Sequence, residues 1–75
     1  MTVIARYSTR KGGSGIRPIR SRAEAEKILR GAYSVTEVVL EDSKGNIVGE
    51  RCRMDGGHNN RVKWFWSFDK DAFDR

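Results

Sequence analysis

Residues 21–32 read Ser-Arg-Ala-Glu-Ala-Glu-Lys-Ile-Leu-Arg-Gly-Ala and contain the clearest helix signal of the sequence. Ser21 and Glu24 match the capping-box pattern, in which the two residues satisfy each other's unpaired backbone N–H groups. Gly31 is placed to end the helix in a left-handed conformation. We therefore predict a helix of about three turns. Its narrow apolar face consists of Ala25, Ile28, Leu29 and Ala32.

Segments rich in β-forming residues lie on both sides of this helix. Residues 2–8 predict a strand, residues 9–15 a glycine-rich turn, and residues 16–20 a second strand that closes a hairpin. Because Pro18 cannot donate a hydrogen bond to a sheet ladder, we expect this second strand to lie at a sheet edge or to be irregular. Three more strands are predicted after the helix, over residues 33–42, 47–54 and 61–68, with turns over 43–46 and 55–60 and a short helical tail over 69–75.

The chain is predicted to form one α+β domain over residues 1–75, in the order β-β-α-β-β-β. One helix would pack on one face of an antiparallel sheet. A chain of 75 residues buries only about 60% of its unfolded surface, so its core is small. Dimer formation is a common way for such a domain to bury more surface, and both a monomer and a homodimer remain open.

Alternation along the last two strands predicts which side chains face the core. In residues 47–54 we expect Val48, Cys52 and Met54 to face the core, and Arg51 and Arg53 to face solvent, with Ile47 as a misfit in this pattern. In residues 61–68, one face has Val62, Trp64, Trp66 and Phe68, and the other has Lys63, Phe65 and Ser67. The tryptophan face is predicted to be core, packed on Ile28 and Leu29. The alternative is a platform on which nucleic-acid bases stack.

The net charge of +5 comes from the first part of the chain. Residues 1–30 have a charge balance of +6, whereas residues 31–75 have a balance of −1. A concentrated positive region attracts nucleic acid or an acidic protein surface, although it can also be a solvated surface that keeps the protein in solution. The residues predicted to contact a partner are Arg10, Lys11, Arg17, Arg20, Arg22, Arg51, Arg53, Lys63 and Phe65.

The sequence contains no pattern that predicts an enzyme, a cofactor or a metal site. The run from Lys11 to Gly15 differs from a P-loop, because its lysine precedes the glycines and no helix follows directly. His58 lies in a predicted turn without a partner group, so a solvent-facing role is favoured over general-base catalysis. Cys52 is the single cysteine, and a buried structural role is favoured over nucleophilic chemistry. One cysteine forms no internal disulfide and no paired-cysteine zinc site.

A cytoplasmic location is expected. One unpaired cysteine suits a reducing compartment. Arg6 interrupts the N-terminus too early for a secretory signal, and no apolar run approaches the ~20 residues of a membrane span. We therefore expect a soluble protein without a membrane partner.

The predicted layout resembles small phage-encoded anti-CRISPR proteins. The features in common are a short basic chain, a helix over 21–32 after a glycine-rich hairpin, and a three-stranded meander over 35–68. The resemblance implies a non-enzymatic inhibitor that docks on a nucleoprotein effector complex and blocks its access to nucleic acid. The alternative is a small basic DNA- or RNA-binding module that contacts phosphates through its N-terminal half.

Overall fold

The computed structural model describes residues 3–54 and 63–73, except for the side chains of Met54 and Lys70. Within these residues, five antiparallel strands and one α-helix form the α+β fold expected from the sequence, and the helix follows the second strand. In the sheet, the strands lie in the order β2-β1-β3-β4-β5. Their bounds are β1 Val3–Thr9, β2 Ser14–Ile19, β3 Val35–Glu41, β4 Ile47–Met54 and β5 Lys63–Phe68, and the helix α1 is Arg22–Leu29.

Strand β2 lies at one edge of the sheet, as the proline in it predicts. The turn before it joins two antiparallel strands, and it is closed by hydrogen bonds from Thr9 N–H to the Gly13 carbonyl (2.8 Å) and from Gly12 N–H to the Thr9 carbonyl (3.0 Å). This turn therefore leads from strand to strand, not from a strand into a helix as a P-loop does.

The helix is shorter than predicted, with eight residues and about two turns. The Ser21 hydroxyl accepts the Glu24 N–H (3.2 Å), as a capping residue does. The Glu24 carboxylate reaches one residue further back than the capping box predicts and accepts the Arg20 N–H (2.9 Å). Gly31 has φ of 96°, which confirms the left-handed termination.

A short 3-10 turn, Ala32–Ser34, replaces the predicted start of the third strand. Tyr33 and Ser34 both have positive φ, of 62° and 60°, which is uncommon for residues other than glycine. Strand β3 therefore starts at Val35, two residues later than expected. The C-terminal helical segment is also a 3-10 turn, Lys70–Phe73.

One side of the sheet, here called the helix face, packs against α1, and the other side is called the open face. Ile28 and Leu29 of the helix are fully buried on the helix face, and Ala25 lies with them. The rest of the core comes from the strands and the C-terminal turn, and consists of Val3, Ala5, Ile19, Val35, Val38, Leu40, Val48 and Ala72. The predicted turn over 55–60 with His58, as well as Val62 and the end of the tail, lies outside the described residues.

Candidate functional site

A β-bulge in β4 decides which side chains share a face in the last two strands. Leu40 pairs with Gly49, but the next residue, Glu41, pairs with Ile47, so Val48 is an extra residue in β4. Val48 is buried, and Gly49 faces the core side chain of Leu40. Because a one-residue slip moves every later side chain to the opposite face, alternation counted from Val48 gives the wrong face for the rest of the strand.

The side of the sheet predicted for Arg51 and Arg53 is therefore wrong, although Arg53 is exposed to solvent as expected. Arg51 pairs with buried Val38 on one side and with Trp66 on the other, and Arg53 pairs with Trp64. Directly opposed residues of antiparallel strands have side chains on the same face. The two arginines and the two tryptophans thus share the helix face, and we call these four residues the aromatic platform. Half-buried Cys52 lies on the open face, not in the core as predicted.

Arg51 is held in place by the end of the helix. Its Nε donates to the Thr36 carbonyl (3.1 Å) and its Nη1 donates to the Leu29 carbonyl (3.0 Å). The Leu29 carbonyl belongs to the last turn of α1, where the helix dipole favours a positive charge. The guanidinium carbon also lies 4.4 Å from the centroid of the Trp64 ring, within the range of a cation–π contact. Arg51 thereby fixes the orientation of Trp64.

The tryptophans are not core residues, contrary to the prediction from alternation. Trp64 and Trp66 are each 40% exposed. Phe68 is the aromatic residue of β5 that packs against the core, with Phe73 at a ring-centroid distance of 6.0 Å. A two-turn helix has only Ile28 and Leu29 as large buried side chains, so it leaves the start of β5 uncovered.

A second group of cations lies near the 3-10 turn. Together with Tyr33 of that turn it is called the turn cluster, which consists of Arg10, Lys11, Arg17 and Tyr33. The guanidinium carbon of Arg17 lies 4.2 Å from the centroid of the Tyr33 ring, which is 52% exposed. The backbone N–H of Arg10 donates to the Ser34 carbonyl (3.1 Å) and so ties the β1–β2 turn to the strained residues before β3. Arg10 and Lys11 are exposed.

The β1–β2 turn with Arg10 and Lys11 and the aromatic platform lie toward the same end of the sheet. Strand β1 ends there and β5 begins there, because neighbouring strands run antiparallel. Arg17 pairs with Ala5 further along β2 and joins the turn cluster through the contact of its side chain with Tyr33. Arg20 and Arg22 follow the last residue of β2 and lie at the opposite end, where both are exposed. The structure therefore divides the cations predicted as one N-terminal surface between two ends of the sheet.

The open face has a different composition. Lys63 and Phe65 lie on it, as predicted, and Phe65 is 47% exposed. Arg6 on this face pairs with Glu41 at 3.5 Å. Counting described residues of the strands, its charged side chains are Arg6, Lys63, Glu37, Glu41 and Glu50. The positive excess of the chain is therefore not on the open face.

Side chains that could bind a metal ion are not grouped together in residues 3–54 and 63–73. No group of three or more His, Cys, Asp or Glu side chains there is placed to hold a metal ion. No helix in the same residues is long and apolar enough to cross a membrane. Comparison of the chain with protein-family models, with curated proteins and with solved structures finds no match.

The sequence suggested a stacking platform only as the alternative to a tryptophan core, with Arg51 and Arg53 on the other face, and it did not indicate the contribution of Tyr33. A signal for the platform was present: Ile47 did not fit the alternation of its strand, and a glycine inside a strand, here Gly49 two residues further on, often marks a bulge. Moving the later residues by one position would have placed Arg51 and Arg53 beside the tryptophans. Tyr33 had no such signal, because residues 33–42 are rich in β-forming types and predict a strand, whereas Tyr33 has a positive φ in the structure.

Proposed function

We propose that this protein is a non-enzymatic, cytoplasmic binding protein that binds single-stranded nucleic acid on its helix face. The observation that supports this most directly is that exposed Trp64 and Trp66 share a face with Arg51 and Arg53. Bases stack on aromatic rings whatever their sequence, and neighbouring cations neutralise the phosphates. Non-specific recognition of single strands needs this combination.

The turn cluster extends the same surface. It lies on the β1–β2 side of the sheet, and the platform lies on the β4–β5 side. Four strand spacings separate the two edges, a distance of roughly 19 Å. One short oligonucleotide can span it, with its bases on Trp64 and Trp66 and its phosphates on Arg10, Lys11 and Arg17. Arg51 is already bonded to two carbonyl groups, so its role is to position Trp64.

Intrinsic fluorescence offers a direct test, because both tryptophans of the chain belong to the platform. Titration with a short single-stranded oligonucleotide is expected to quench the emission. Trp66→Ala should raise the Kd by about tenfold, since base stacking contributes ~1–3 kcal/mol per base. Phe65→Ala is the matched control, because Phe65 lies on the other face of the same strand and should change the Kd little.

Salt dependence gives a second measurement on the same samples. The three phosphate contacts by Arg10, Lys11 and Arg17 predict that the logarithm of the association constant falls with the logarithm of salt concentration with a slope of about −2. Changing Arg10, Lys11 and Arg17 to glutamine should make this slope shallower. If no DNA or RNA oligonucleotide binds at low salt, or if Trp66→Ala and Phe65→Ala weaken binding equally, this proposal is wrong.

A second candidate function is that of a phage-encoded inhibitor similar to anti-CRISPR proteins. The observation that favours it is the open face, where Ile16, Ile47 and Phe65 are 63%, 62% and 47% exposed among charges of both signs. Apolar residues surrounded by polar ones are typical of protein–protein interfaces. Such a protein would dock on a nucleoprotein effector and block its access to nucleic acid.

Co-purification with a CRISPR effector, with and without nuclease, separates the two candidates. An inhibitor that docks on protein should remain bound after nuclease treatment, and Ile16→Glu together with Ile47→Glu should release it. A protein held only through nucleic acid should dissociate on nuclease treatment. Reversal of Arg10, Lys11, Arg17 and Arg20 to glutamate tests whether the basic residues belong to the same interface.

A further inference from the structure

The two edge strands of the sheet differ in how they are protected against pairing with another strand. The β2 edge contains Gly15, Arg17 and Pro18, and proline and charge are the usual means by which proteins protect an edge. The β5 edge is Lys-Trp-Phe-Trp-Ser-Phe, with no proline, no glycine and a single charge at its start. Along the described part of the chain, no strand pairs with the outer side of β5.

Strand β5 has the composition of an interior strand. Large aromatic side chains lie on both of its faces, Trp64 and Trp66 on one and Phe65 on the other, and each is 40–47% exposed. A strand with apolar side chains on both faces normally has neighbours on both sides. An edge of this kind is a template for a further strand.

We propose that a second copy of this chain pairs with β5 in antiparallel orientation and joins the two sheets into one sheet of ten strands. A two-fold axis perpendicular to the sheet at Phe65 places this residue opposite the partner's Phe65. It also places Trp64 opposite the partner's Trp66, and Lys63 opposite the partner's Ser67. Each pair lies on one face, aromatic residues meet aromatic residues, and no like charges are opposed.

The identity of the occupant follows from this symmetry and from the size of the domain. An isologous pairing of β5 matches its three exposed aromatic residues with one another, which a strand of arbitrary sequence would not do. A 75-residue chain has a small core and gains from buried surface shared with a copy of itself. Five paired residues, 63–67, span roughly 17 Å, so the dimer is expected to dissociate on dilution.

Charge substitution at Phe65 tests the pairing, because this residue meets its own copy. Sedimentation velocity of nuclease-treated protein should show a concentration-dependent monomer–dimer equilibrium. Phe65→Lys and Phe65→Glu should each raise the dimer Kd by roughly tenfold or more, since like charges then face each other across the axis. An equimolar mixture of the two variants should dimerise again, as a heterodimer. Ile16→Lys and Ile16→Glu, at the exposed β2 edge, are the matched controls and should dimerise like the wild type.

Each outcome decides the proposal. A wild-type protein that remains monomeric at millimolar concentration overturns it, as does a mixture of the two Phe65 variants that remains monomeric while both retain the wild-type circular dichroism spectrum. Equal loss of dimer in the Ile16 variants would also overturn it, because the interface would then include the other edge. Oligonucleotide binding by monomers is measured separately, so a failure of the dimer leaves the nucleic-acid proposal standing.

Discussion

The two sides of the sheet, the β1–β2 hairpin and the β4–β5 hairpin, each have an arginine over an aromatic ring, but the arginines do different things. Arg17 lies 4.2 Å from the Tyr33 centroid, and Arg51 lies 4.4 Å from the Trp64 centroid. Arg51 also donates to the carbonyl groups of Thr36 and Leu29, and so joins β3, β4 and the end of α1. The same kind of cation–π contact is therefore part of an exposed surface at Arg17 and part of the packing of the fold at Arg51.

The charge distribution differs in the same way between the two hairpins. The cations of the β1–β2 turn are exposed and can move toward a ligand, whereas Arg51 is half-buried and fixed by its bonds. The β4–β5 side has oriented aromatic rings, and the β1–β2 side has exposed positive charge. A surface that binds nucleic acid needs both, because phosphate contacts provide affinity and stacking provides position.

Separate substitution of Arg51 and Arg17 should give the largest difference in stability between the two hairpins. Arg51→Ala is expected to lower the free energy of unfolding by about 2–3 kcal/mol, because two charge-assisted hydrogen bonds and a cation–π contact are lost. Arg17→Ala should lower it by no more than about 1 kcal/mol. Urea unfolding of both variants measures this. Equal losses would show that Arg51 does not anchor the helix.

Substitution of one glycine in each hairpin, Gly49 in β4 and Gly15 in β2, should give the next largest difference in stability. A Cβ added at Gly49 would lie 3.0 Å from Leu40 Cδ1 and 3.2 Å from the Ser67 carbonyl oxygen, in the core and against backbone. Gly49→Ala should therefore cost about 1–3 kcal/mol. A Cβ at Gly15 would meet the phenol end of Tyr7, which can rotate away, so Gly15→Ala should cost less. Thermal unfolding of both variants checks the order, and a larger loss for Gly15→Ala would contradict it.

The two tight turns should differ in their response to pH, which is the smallest effect. In the β3–β4 turn, the Asp42 carboxylate accepts the N–H groups of Asn46 and Lys44, both at 2.9 Å. These bonds, with that from Asn46 first, hold the pKa of Asp42 below its ordinary value. In the β1–β2 turn, the uncharged Thr9 hydroxyl accepts the Gly13 N–H (3.1 Å).

The pKa of Asp42 is lower in the folded protein than in the unfolded chain, where it is about 4. Ionised Asp42 therefore stabilises the fold fully above pH ~4, and this contribution is lost as the pH falls through the folded pKa. The stability difference between the wild type and Asp42→Asn should therefore shrink from pH 7 toward pH 2. The difference for Thr9→Ala should stay constant over the same range. Urea unfolding at each pH measures both, and a constant difference for Asp42→Asn would contradict the assignment.

Much of the fold could be predicted from local signals in the sequence. The helix start at Ser21, its end at Gly31 and the edge position of the strand with Pro18 depend on capping, backbone freedom and a missing N–H, which are properties of single residues. The candidate site was predicted less well. Of its residues, Arg51 and Arg53 were named but placed on the wrong face, and the exposed tryptophans were assigned to the core.

The sequence by itself determined the element order, the single helix and the concentration of positive charge in residues 1–30, because these follow from residue type and spacing. Only the tertiary structure decided which side chains meet. The extra residue Val48 in β4 reverses the alternation, and the two-turn helix leaves Trp64 and Trp66 exposed beside the arginines. The first result depends on the register between distant strands, and the second on how much of the sheet the helix covers. Neither the register nor the coverage can be read from the hydrophobic periodicity of a single segment.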